Sequence, residues 1–268
     1  MNELRDIAYH HGPQRDSLRE FDLYYQNYSA LPLLCFVHGG AWRSEDKLDH
    51  SALARNLVSA TTFPVAVPNY RLSTGTNDIR HPDHAQDILE FLVYITSNSS
   101  ILPRVFDPSK IYLIGHSCSA HMLASILLDS SSISPTLTPP SMILDAVQGI
   151  ILSEGIYDID QLVKDFPDYI DWFIKAAFGD PTYSAFNATG LSLRNQNTMR
   201  WLIIHSKGDT LINLLQSQRM FTHLRILYGG NACQHVLINS EELDEGHDAI
   251  LSGKTYLRIV TDFIKADV

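Results

Sequence analysis

Four short segments of the chain combine small residues with side chains that take part in nucleophilic catalysis. They are His38-Gly-Gly-Ala-Trp42, Gly115-His-Ser-Cys-Ser119, Ser206-Lys-Gly-Asp209 and Asp244-Glu-Gly-His247. A serine hydroxyl becomes a nucleophile when an imidazole accepts its proton, and the imidazole needs a carboxylate that fixes its tautomer. Because Ser117, Asp209 and His247 follow one another in an order known from serine hydrolases, we predict that they are the nucleophile, the acid and the general base.

The two glycines of the first segment supply the remaining part of such a site. A tetrahedral oxyanion needs preorganised N–H donors, and glycine lets the backbone approach closely with positive φ. We therefore predict an oxyanion hole formed by the backbone N–H groups of Gly39, Gly40 and Cys118, the residue after the nucleophile.

Each of these residues also has a structural explanation when it is taken alone. Gly39 and Gly40 are compatible with an ordinary strand-to-loop turn, Asp209 with a turn or helix N-cap, and His247 with a capping or surface histidine. The catalytic interpretation is favoured by the joint arrangement, because the segments occur in one consistent order and each follows a predicted strand.

The serine segment falls one letter short of the Gly-x-Ser-x-Gly pattern of a nucleophile elbow, because Ser119 stands at the second glycine position. An elbow needs small residues two positions before and two after the serine, where the strand and helix pass closely. Gly115 and Ser119 are both small, so the sequence still predicts an elbow at Ser117.

Apolar runs alternate with segments of helical period along the chain. Strands are predicted at residues 33–38, 65–70, 111–114, 146–152, 201–205 and 235–239, and helices at 45–60, 82–96, 119–128, 211–227 and 247–266. This alternation predicts an α/β fold, a mostly parallel doubly wound sheet with helices on both faces. Ligands bind such sheets beyond the carboxyl ends of the strands, where the four segments lie.

Length and charge narrow the functional class. A chain of 268 residues suits a single domain, 1–268, with a cap-like helical insertion at about 155–195. The net charge of −10 and the lack of a basic cluster argue against a nucleic-acid partner, and no apolar run is long enough to span a membrane. Three unpatterned cysteines fit a reducing, cytoplasmic environment, and the histidines show no metal-ligand spacing.

Two sets of motifs resemble known hydrolases. The His38-Gly-Gly-Ala-Trp42 segment with Pro68-Asn-Tyr-Arg-Leu-Ser73 resembles the hormone-sensitive-lipase-like branch of the α/β-hydrolases. The segments Ser153-Glu-Gly-Ile-Tyr-Asp158 and His205-Ser-Lys-Gly-Asp209 are similar to the fungal type of kynurenine formamidase (arylformamidase). The resemblance implies a cofactor-free α/β-hydrolase that releases formate from N-formyl-L-kynurenine in tryptophan catabolism, toward NAD, and it is compatible with a homodimer.

An aryl formamide has a small acyl group and a flat aromatic leaving amine. Trp42, Tyr157 and Trp172 are candidates for the aromatic side of the pocket, although such residues also serve as core in a cap. Phe166 and Phe173 are further aromatic residues of this segment, and for these two a core role is favoured. Glu154 is a candidate partner for the substrate's ammonium group, or else a helix-cap carboxylate.

Two other functions stay open at this point. A carboxylesterase for short-chain acyl esters would use the same catalytic residues with a different pocket. A non-catalytic small-molecule receptor would keep the cavity and lose the triad, and the presence of Ser117, Asp209 and His247 argues against it.

Overall fold

The computed structural model describes residues 1–97, 102–179, 182–194 and 199–266. Its strands are β1 (Asn2–Ala8), β2 (Glu20–Tyr25), β3 (Leu31–Val37), β4 (Val65–Pro68), β5 (Phe106–His116), β6 (Leu128–Asp129), β7 (Val147–Ser153), β8 (Ser192–Leu193), β9 (Arg200–Ile204) and β10 (Val236–Asn239). Its α-helices are α1 (Ser51–Thr61), α2 (Asp83–Ser97), α3 (Cys118–Leu127), α4 (Ser141–Ala146), α5 (Ile159–Asp165), α6 (Lys175–Phe178), α7 (Leu214–Tyr228), α8 (Ala232–His235) and α9 (Lys254–Lys265).

Eight of these strands form one twisted sheet in the order β1-β2-β4-β3-β5-β7-β9-β10. The pairs from β4 to β10 are parallel, whereas β1 pairs with β2 and β2 pairs with β4 in antiparallel fashion. The predicted mostly parallel, doubly wound sheet is confirmed. The carboxyl ends of β3, β5, β7 and β9 therefore lie side by side at one edge of the sheet.

Apolar cores cover both faces of the sheet. On β3, Leu34 and Phe36 belong to the core beneath α1 and α9, whereas Leu33, Cys35 and Val37 belong to the core beneath α2 and α3. Since successive side chains of a strand point to opposite faces, a central strand buried on both faces must be apolar throughout. This pattern is what made the central strands visible in the sequence.

The first two strands were not predicted, because charged residues interrupt them. Asp22 of β2 is fully buried, and its carboxylate accepts hydrogen bonds from Lys47 Nζ at 2.7 Å and Arg5 at 2.8 Å. A buried carboxylate is tolerated where cations neutralise it. These partners are distant in the sequence, so the strand pattern alone does not reveal them.

Helix starts differ from the prediction by several residues at three places. The segment predicted at 45–60 begins as a 3₁₀ turn, Lys47–His50, before α1, and α7 begins at Leu214 instead of residue 211. The last helix begins at Lys254 after a 3₁₀ turn, Ala249–Ser252. His247 is thus on a loop and not in the first turn of a helix.

The predicted cap segment, 155–195, contains short helical pieces between β7 and β9. They are α5, a π-helical turn at Ile170–Ile174, α6, and 3₁₀ turns at Tyr183–Phe186 and Ala188–Gly190. Positions 180, 181 and 195 of this segment lie outside the described residues. None of the helices in the described ranges is long and apolar enough to cross a membrane.

Candidate active site

Ser117 lies on a sharp turn between a strand and a helix. β5 ends at His116, α3 begins at Cys118, and Ser117 between them has a left-handed backbone with φ 56° and ψ −122°. Its N–H donates to the carbonyl of Ser153 at 2.9 Å and its carbonyl accepts from Ile156 N–H at 3.3 Å. A non-glycine residue with positive φ is strained, and surrounding contacts must hold it there.

The small residues that flank this turn have different tasks. A Cβ on Gly115 would lie 2.9 Å from Leu123 Cδ1 and 3.1 Å from Ala120 N, so the strand and helix pass too closely for a side chain. The Ser119 hydroxyl lies 2.7 Å from Val37 O and 2.9 Å from His116 O, and its single proton is shared between these two acceptors. Ser119 is therefore more than a tolerated small residue, because it ties the turn to β3.

Asp209 and His247 form a hydrogen-bonded pair. The Nδ1–H of His247 donates to Asp209 Oδ2 at 2.7 Å, and the Asp209 side chain is fully buried. The other carboxylate oxygen, Oδ1, accepts from the N–H groups of Leu211 at 2.8 Å and Ile212 at 3.0 Å. Asp209 thus caps a turn with one oxygen and contacts His247 with the other, so the turn role is observed and the catalytic role stays a prediction.

A cleft of about 190 Å³, partly open to solvent, brings the serine and histidine together. Ser117 and His247 both line it, together with Gly40. No hydrogen bond joins Ser117 to His247 among the described residues, and catalytic hydrogen bonds often shorten only when substrate binds. The structure gathers the predicted nucleophile, base and acid at the carboxyl edge of the sheet, and their roles stay predictions.

The loop after β3 borders this cleft through Gly40 and Ala41. Gly40 has φ 89°, and Ala41 and Trp42 also have positive φ, at 53° and 58°. A Cβ on Gly40 would lie 2.2 Å from Ser44 O, and one on Gly39 would lie 3.2 Å from Ser117 Cβ. Within the described ranges, Gly39 and Gly40 N–H donate no hydrogen bond, and their part in an oxyanion hole stays a prediction.

Tyr70 and Cys118 brace this loop from below. The Tyr70 hydroxyl donates to Gly39 O at 2.6 Å and lies 3.7 Å from Cys118 Sγ. The Cys118 sulfur accepts the Trp42 N–H at 3.3 Å, and burial raises the pKa of its thiol to about 12. The thiol is therefore neutral and acts as packing and hydrogen-bond acceptor, while its own backbone N–H follows the nucleophile as predicted.

Of the four predicted substrate contacts, only Trp172 lines the cleft. Trp42 is fully buried and packs edge-on against His121 and Phe178, at ring-centroid distances of 5.6 and 5.0 Å. Tyr157 is also fully buried, below the turn at Gly155.

The structure places Glu154 beneath the cleft as well, with no exposure to solvent. Its Oε1 accepts the Ser206 N–H at 2.8 Å, so it faces the loop that carries Asp209. Contrary to the prediction of a substrate contact, Glu154 is not among the residues that line the cleft. The turn at the end of β7, where Glu154 has φ 51°, directs the side chain inward.

Several cleft residues were not singled out from the sequence. They are Ala41, Ser44, Glu45, Ile156, Tyr169, Leu211, Ile212 and Asp248. Phe173, for which the sequence favoured a core role, also lines the cleft. Glu45, Leu211, Ile212 and Asp248 lie within a few positions of the predicted segments, which is a signal that could have found them. Tyr169 and Phe173 come from the cap segment, where the sequence pattern does not distinguish a pocket wall from a core.

Three groups of histidine and carboxylate side chains have ligand atoms within 4.8 Å of one another: His38, Glu45 and His50; His116, His247 and Asp248; and Glu154, His205 and Asp209. In the first two groups, a histidine is hydrogen-bonded to a carboxylate of the same group, His50 to Glu45 at 2.9 Å and His116 to Asp248 at 3.1 Å. In the third group, Asp209 accepts its hydrogen bond from His247, which lies outside that group, at 2.7 Å. Internal hydrogen bonding accounts for these groups, and we assign none of them to a metal.

Comparison with known proteins supports the resemblance that the motifs indicate. A kynurenine formamidase of Meyerozyma guilliermondii is 28% identical over 221 residues, which are 78% of this chain and 78% of that protein. A kynurenine formamidase of Eremothecium gossypii is 28% identical over 200 residues, covering 69% of this chain and 76% of that protein. The resemblance to kynurenine formamidases is confirmed, and it places the chain among hydrolases.

Solved structures confirm the fold. Esterase B from Lactobacillus rhamnosis matches with a TM-score of 0.77 at 17% identity, covering 99% of this chain and 85% of that chain. The predicted α/β-hydrolase fold is therefore correct. The family model BD-FAE matches residues 21–224, a stretch that includes Gly39, Ser117 and Asp209 and ends before His247. Because this match spans most of the sequence, the chain belongs to the BD-FAE family.

Proposed function

We propose that the protein is a kynurenine formamidase that hydrolyses N-formyl-L-kynurenine to L-kynurenine and formate. The observation that carries the proposal is the hydrogen-bonded Asp209–His247 pair, which shares one cleft with the strained Ser117 turn. The similarity to fungal kynurenine formamidases supports the choice of substrate. Ser117 is the nucleophile, His247 the general base and Asp209 the orienting acid.

In the first step, Ser117 Oγ attacks the formyl carbon and its proton passes to Nε2 of His247. The Asp209 carboxylate stabilises the imidazolium that forms, through its hydrogen bond with Nδ1. The oxyanion accepts hydrogen bonds from the N–H groups of Gly39, Gly40 and Cys118. Each such donor is typically worth about 3 kcal/mol of barrier.

The tetrahedral intermediate collapses when the C–N bond breaks. His247 gives its proton to the aniline nitrogen, and kynurenine leaves with a formyl ester remaining on Ser117. Water then attacks this ester and transfers a proton to His247. Collapse of the second intermediate breaks the ester bond, releases formate and returns the proton to Ser117 Oγ.

The shape of the cleft suits a small acyl group and a flat aromatic leaving group. Gly40 and Ala41 bound the end next to Ser117, and Tyr169, Trp172 and Phe173 form an aromatic wall. Tyr169 and Phe173 are in contact, with ring centroids 5.2 Å apart. Aromatic rings stack favourably in such arrangements, which supports binding of the kynurenine ring.

The charge of the cleft favours a substrate with a cationic group. Glu45 and Asp248 line it, and no lysine or arginine belongs to its described lining. A hydrogen bond from His116 lowers the pKa of Asp248. Burial acts to raise the pKa of Glu45, but the hydrogen bond with His50 and nearby histidines lower it overall. Both groups are ionised at neutral pH, and the ammonium of N-formyl-L-kynurenine would complement them.

Comparing two substrates tests the proposal directly. We expect the purified protein to release kynurenine from N-formyl-L-kynurenine and to cleave p-nitrophenyl acetate less efficiently. Efficient ester cleavage without measurable kynurenine would instead favour the carboxylesterase, which uses the same catalytic residues. Failure of a fluorophosphonate to label Ser117, with neither substrate turned over, would favour a non-catalytic receptor.

The proposed metabolic pathway follows from this activity. We propose a place in tryptophan catabolism toward NAD, because the product is kynurenine, and a cytoplasmic location. The free cysteines Cys35, Cys118 and Cys233 are compatible with a reducing compartment. The homodimer stays a prediction.

A further inference from the structure

A second buried carboxyl group lies beneath the proposed catalytic acid. Glu154 follows the last residue of β7, and its left-handed backbone, φ 51°, is held by its N–H, which donates to Ile204 O at 3.0 Å. Its side chain has no exposure to solvent. Strained backbone positions cluster at functional sites, and Glu154 lies at the carboxyl edge of the sheet, next to the loop that carries Asp209.

The two oxygens of Glu154 have unequal partners. Oε1 accepts the Ser206 N–H at 2.8 Å, which fixes the carboxyl group against the loop that carries Asp209. Oε2 is buried and has no hydrogen-bond donor directed at it among the described residues. Nδ1 of His205 lies 3.1 Å from Oε2, but its hydrogen bond is with Ser217 Oγ at 3.1 Å.

Asp209 is the neighbour that can accept a hydrogen bond from Oε2 when this oxygen carries a proton. Ligand atoms of Glu154, His205 and Asp209 lie within 4.8 Å of one another, so the carboxyl groups of Glu154 and Asp209 are direct neighbours. Two buried carboxylates this close repel each other unless one of them is protonated. A proton on Oε2 removes the repulsion and gives the unpaired oxygen a partner.

The charges favour Glu154 as the protonated member. Burial, together with the neighbouring Asp209, raises the pKa of Glu154 to about 10. Burial also acts to raise the pKa of Asp209, but hydrogen bonds from His247 and Glu154 lower it well below its usual range. The titratable groups around Glu154 are Tyr157, His205, Asp209, His247 and Tyr256.

We propose that Glu154 is a positioning residue: its protonated carboxyl donates a hydrogen bond to Asp209 and holds that carboxylate against Nδ1 of His247. The proposal rests on the triad given under the proposed function, and it applies to any substrate that the triad hydrolyses. Glu154 touches no reacting atom. It acts only through Asp209, and this distinguishes it from the predicted ammonium contact.

Two substitutions of Glu154 test the contribution of the proposed hydrogen bond to activity. Glu154→Gln keeps the shape and an N–H donor toward Asp209, so we expect kcat within about threefold of wild type. Glu154→Ala removes the donor, and we expect kcat to fall on the order of 10- to 100-fold with little change in KM. Glu20→Ala is the control. Glu20 is a buried glutamate on β2 that forms an ion pair with Arg15, and it is not among the residues that line the cleft.

Both N-formyl-L-kynurenine and p-nitrophenyl acetate serve as substrates, with circular dichroism to check folding. If Glu154→Gln keeps and Glu154→Ala loses activity on p-nitrophenyl acetate, and no protein releases kynurenine, the role of Glu154 is supported and the formamidase activity is contradicted. Equal losses in folded Glu154→Gln and Glu154→Ala, or full activity in Glu154→Ala, would overturn the role of Glu154 whatever the substrate.

Infrared spectroscopy tests the proton without relying on activity. At about pH 8, ordinary glutamates are ionised, so we expect a protonated-carboxyl band in wild type that is missing from Glu154→Gln. Identical carboxyl bands in the two folded proteins would contradict the proposal.

Discussion

The Asp209 carboxylate divides its two oxygens between local structure and the proposed chemistry. Oδ1 caps the turn at Leu211 and Ile212, whereas Oδ2 holds His247. Tyr70 has a comparable double task, since its hydroxyl joins Gly39 O and approaches the sulfur of Cys118. Side chains and loops of the site are thus held in place by hydrogen bonds that come from neighbouring loops.

Replacing Tyr70 tests how much the oxyanion loop depends on this support. Tyr70→Phe leaves Gly39 O without its 2.6 Å donor, so we expect Gly39 and Gly40 N–H to lose their fixed direction. We expect kcat to fall on the order of tenfold with KM nearly unchanged. Tyr112→Phe is the control, because Tyr112 is an equally buried tyrosine on the α1/α9 face of the sheet. A kcat of Tyr70→Phe equal to that of Tyr112→Phe would show that the loop needs no such brace.

At the scale of elements, four segments at the carboxyl edge of the sheet carry the site, after β3, β5, β9 and β10. The loop after β9 bears Asp209, and it packs closely against the loop before His247. A Cβ on Gly208 would lie 2.0 Å from Asp244 O, which leaves no room for a side chain. The distance between the proposed acid and base therefore depends on a glycine that touches neither.

Gly208→Ala should separate these two loops. We expect kcat to fall by about 100-fold, since shifts near 1 Å are enough for such losses. Gly230→Ala is the matched control, because a Cβ there would meet no atom within 4 Å. Steady-state kinetics with circular dichroism makes the comparison, and full activity in Gly208→Ala would show that the loop contact is not needed.

The sequence predicted the location of a residue in the fold where that location depends only on which strand the residue follows. Ser117, Asp209 and His247 follow buried parallel strands, and such strands bring their carboxyl ends to one edge whatever the details of packing. The direction of a side chain after the strand depends on backbone angles that the residue types do not reveal. For this reason Glu154 and Tyr157 were expected on the cleft and lie beneath it. Strand β2 was missed because the cations that neutralise Asp22 come from distant segments.

For the whole molecule, the buried proton on Glu154 links stability to pH. Its pKa is about 10 in the folded state and near 4.5 in the unfolded chain. The folded state therefore holds a proton that the unfolded state loses between these values. The stabilisation from this group is fully present below about pH 4 and is lost as the pH rises toward about 10.

Glu154→Gln removes this titration. We expect the free energy of unfolding of wild type to fall relative to Glu154→Gln between about pH 5 and about pH 9, with a slope of up to about 1.4 kcal/mol per pH unit. Urea unfolding of both proteins at several pH values measures the difference. Parallel stability curves would mean that Glu154 has an ordinary pKa.

The proposed function depends most on nucleophilic attack by Ser117 on an aryl formamide. The decisive measurement is the rate of kynurenine release from N-formyl-L-kynurenine by wild type and by Ser117→Ala, with thermal unfolding to check the fold. We predict steady release by wild type and a loss of about 10⁴-fold or more in folded Ser117→Ala. No release by wild type, or equal release by both proteins, would contradict it.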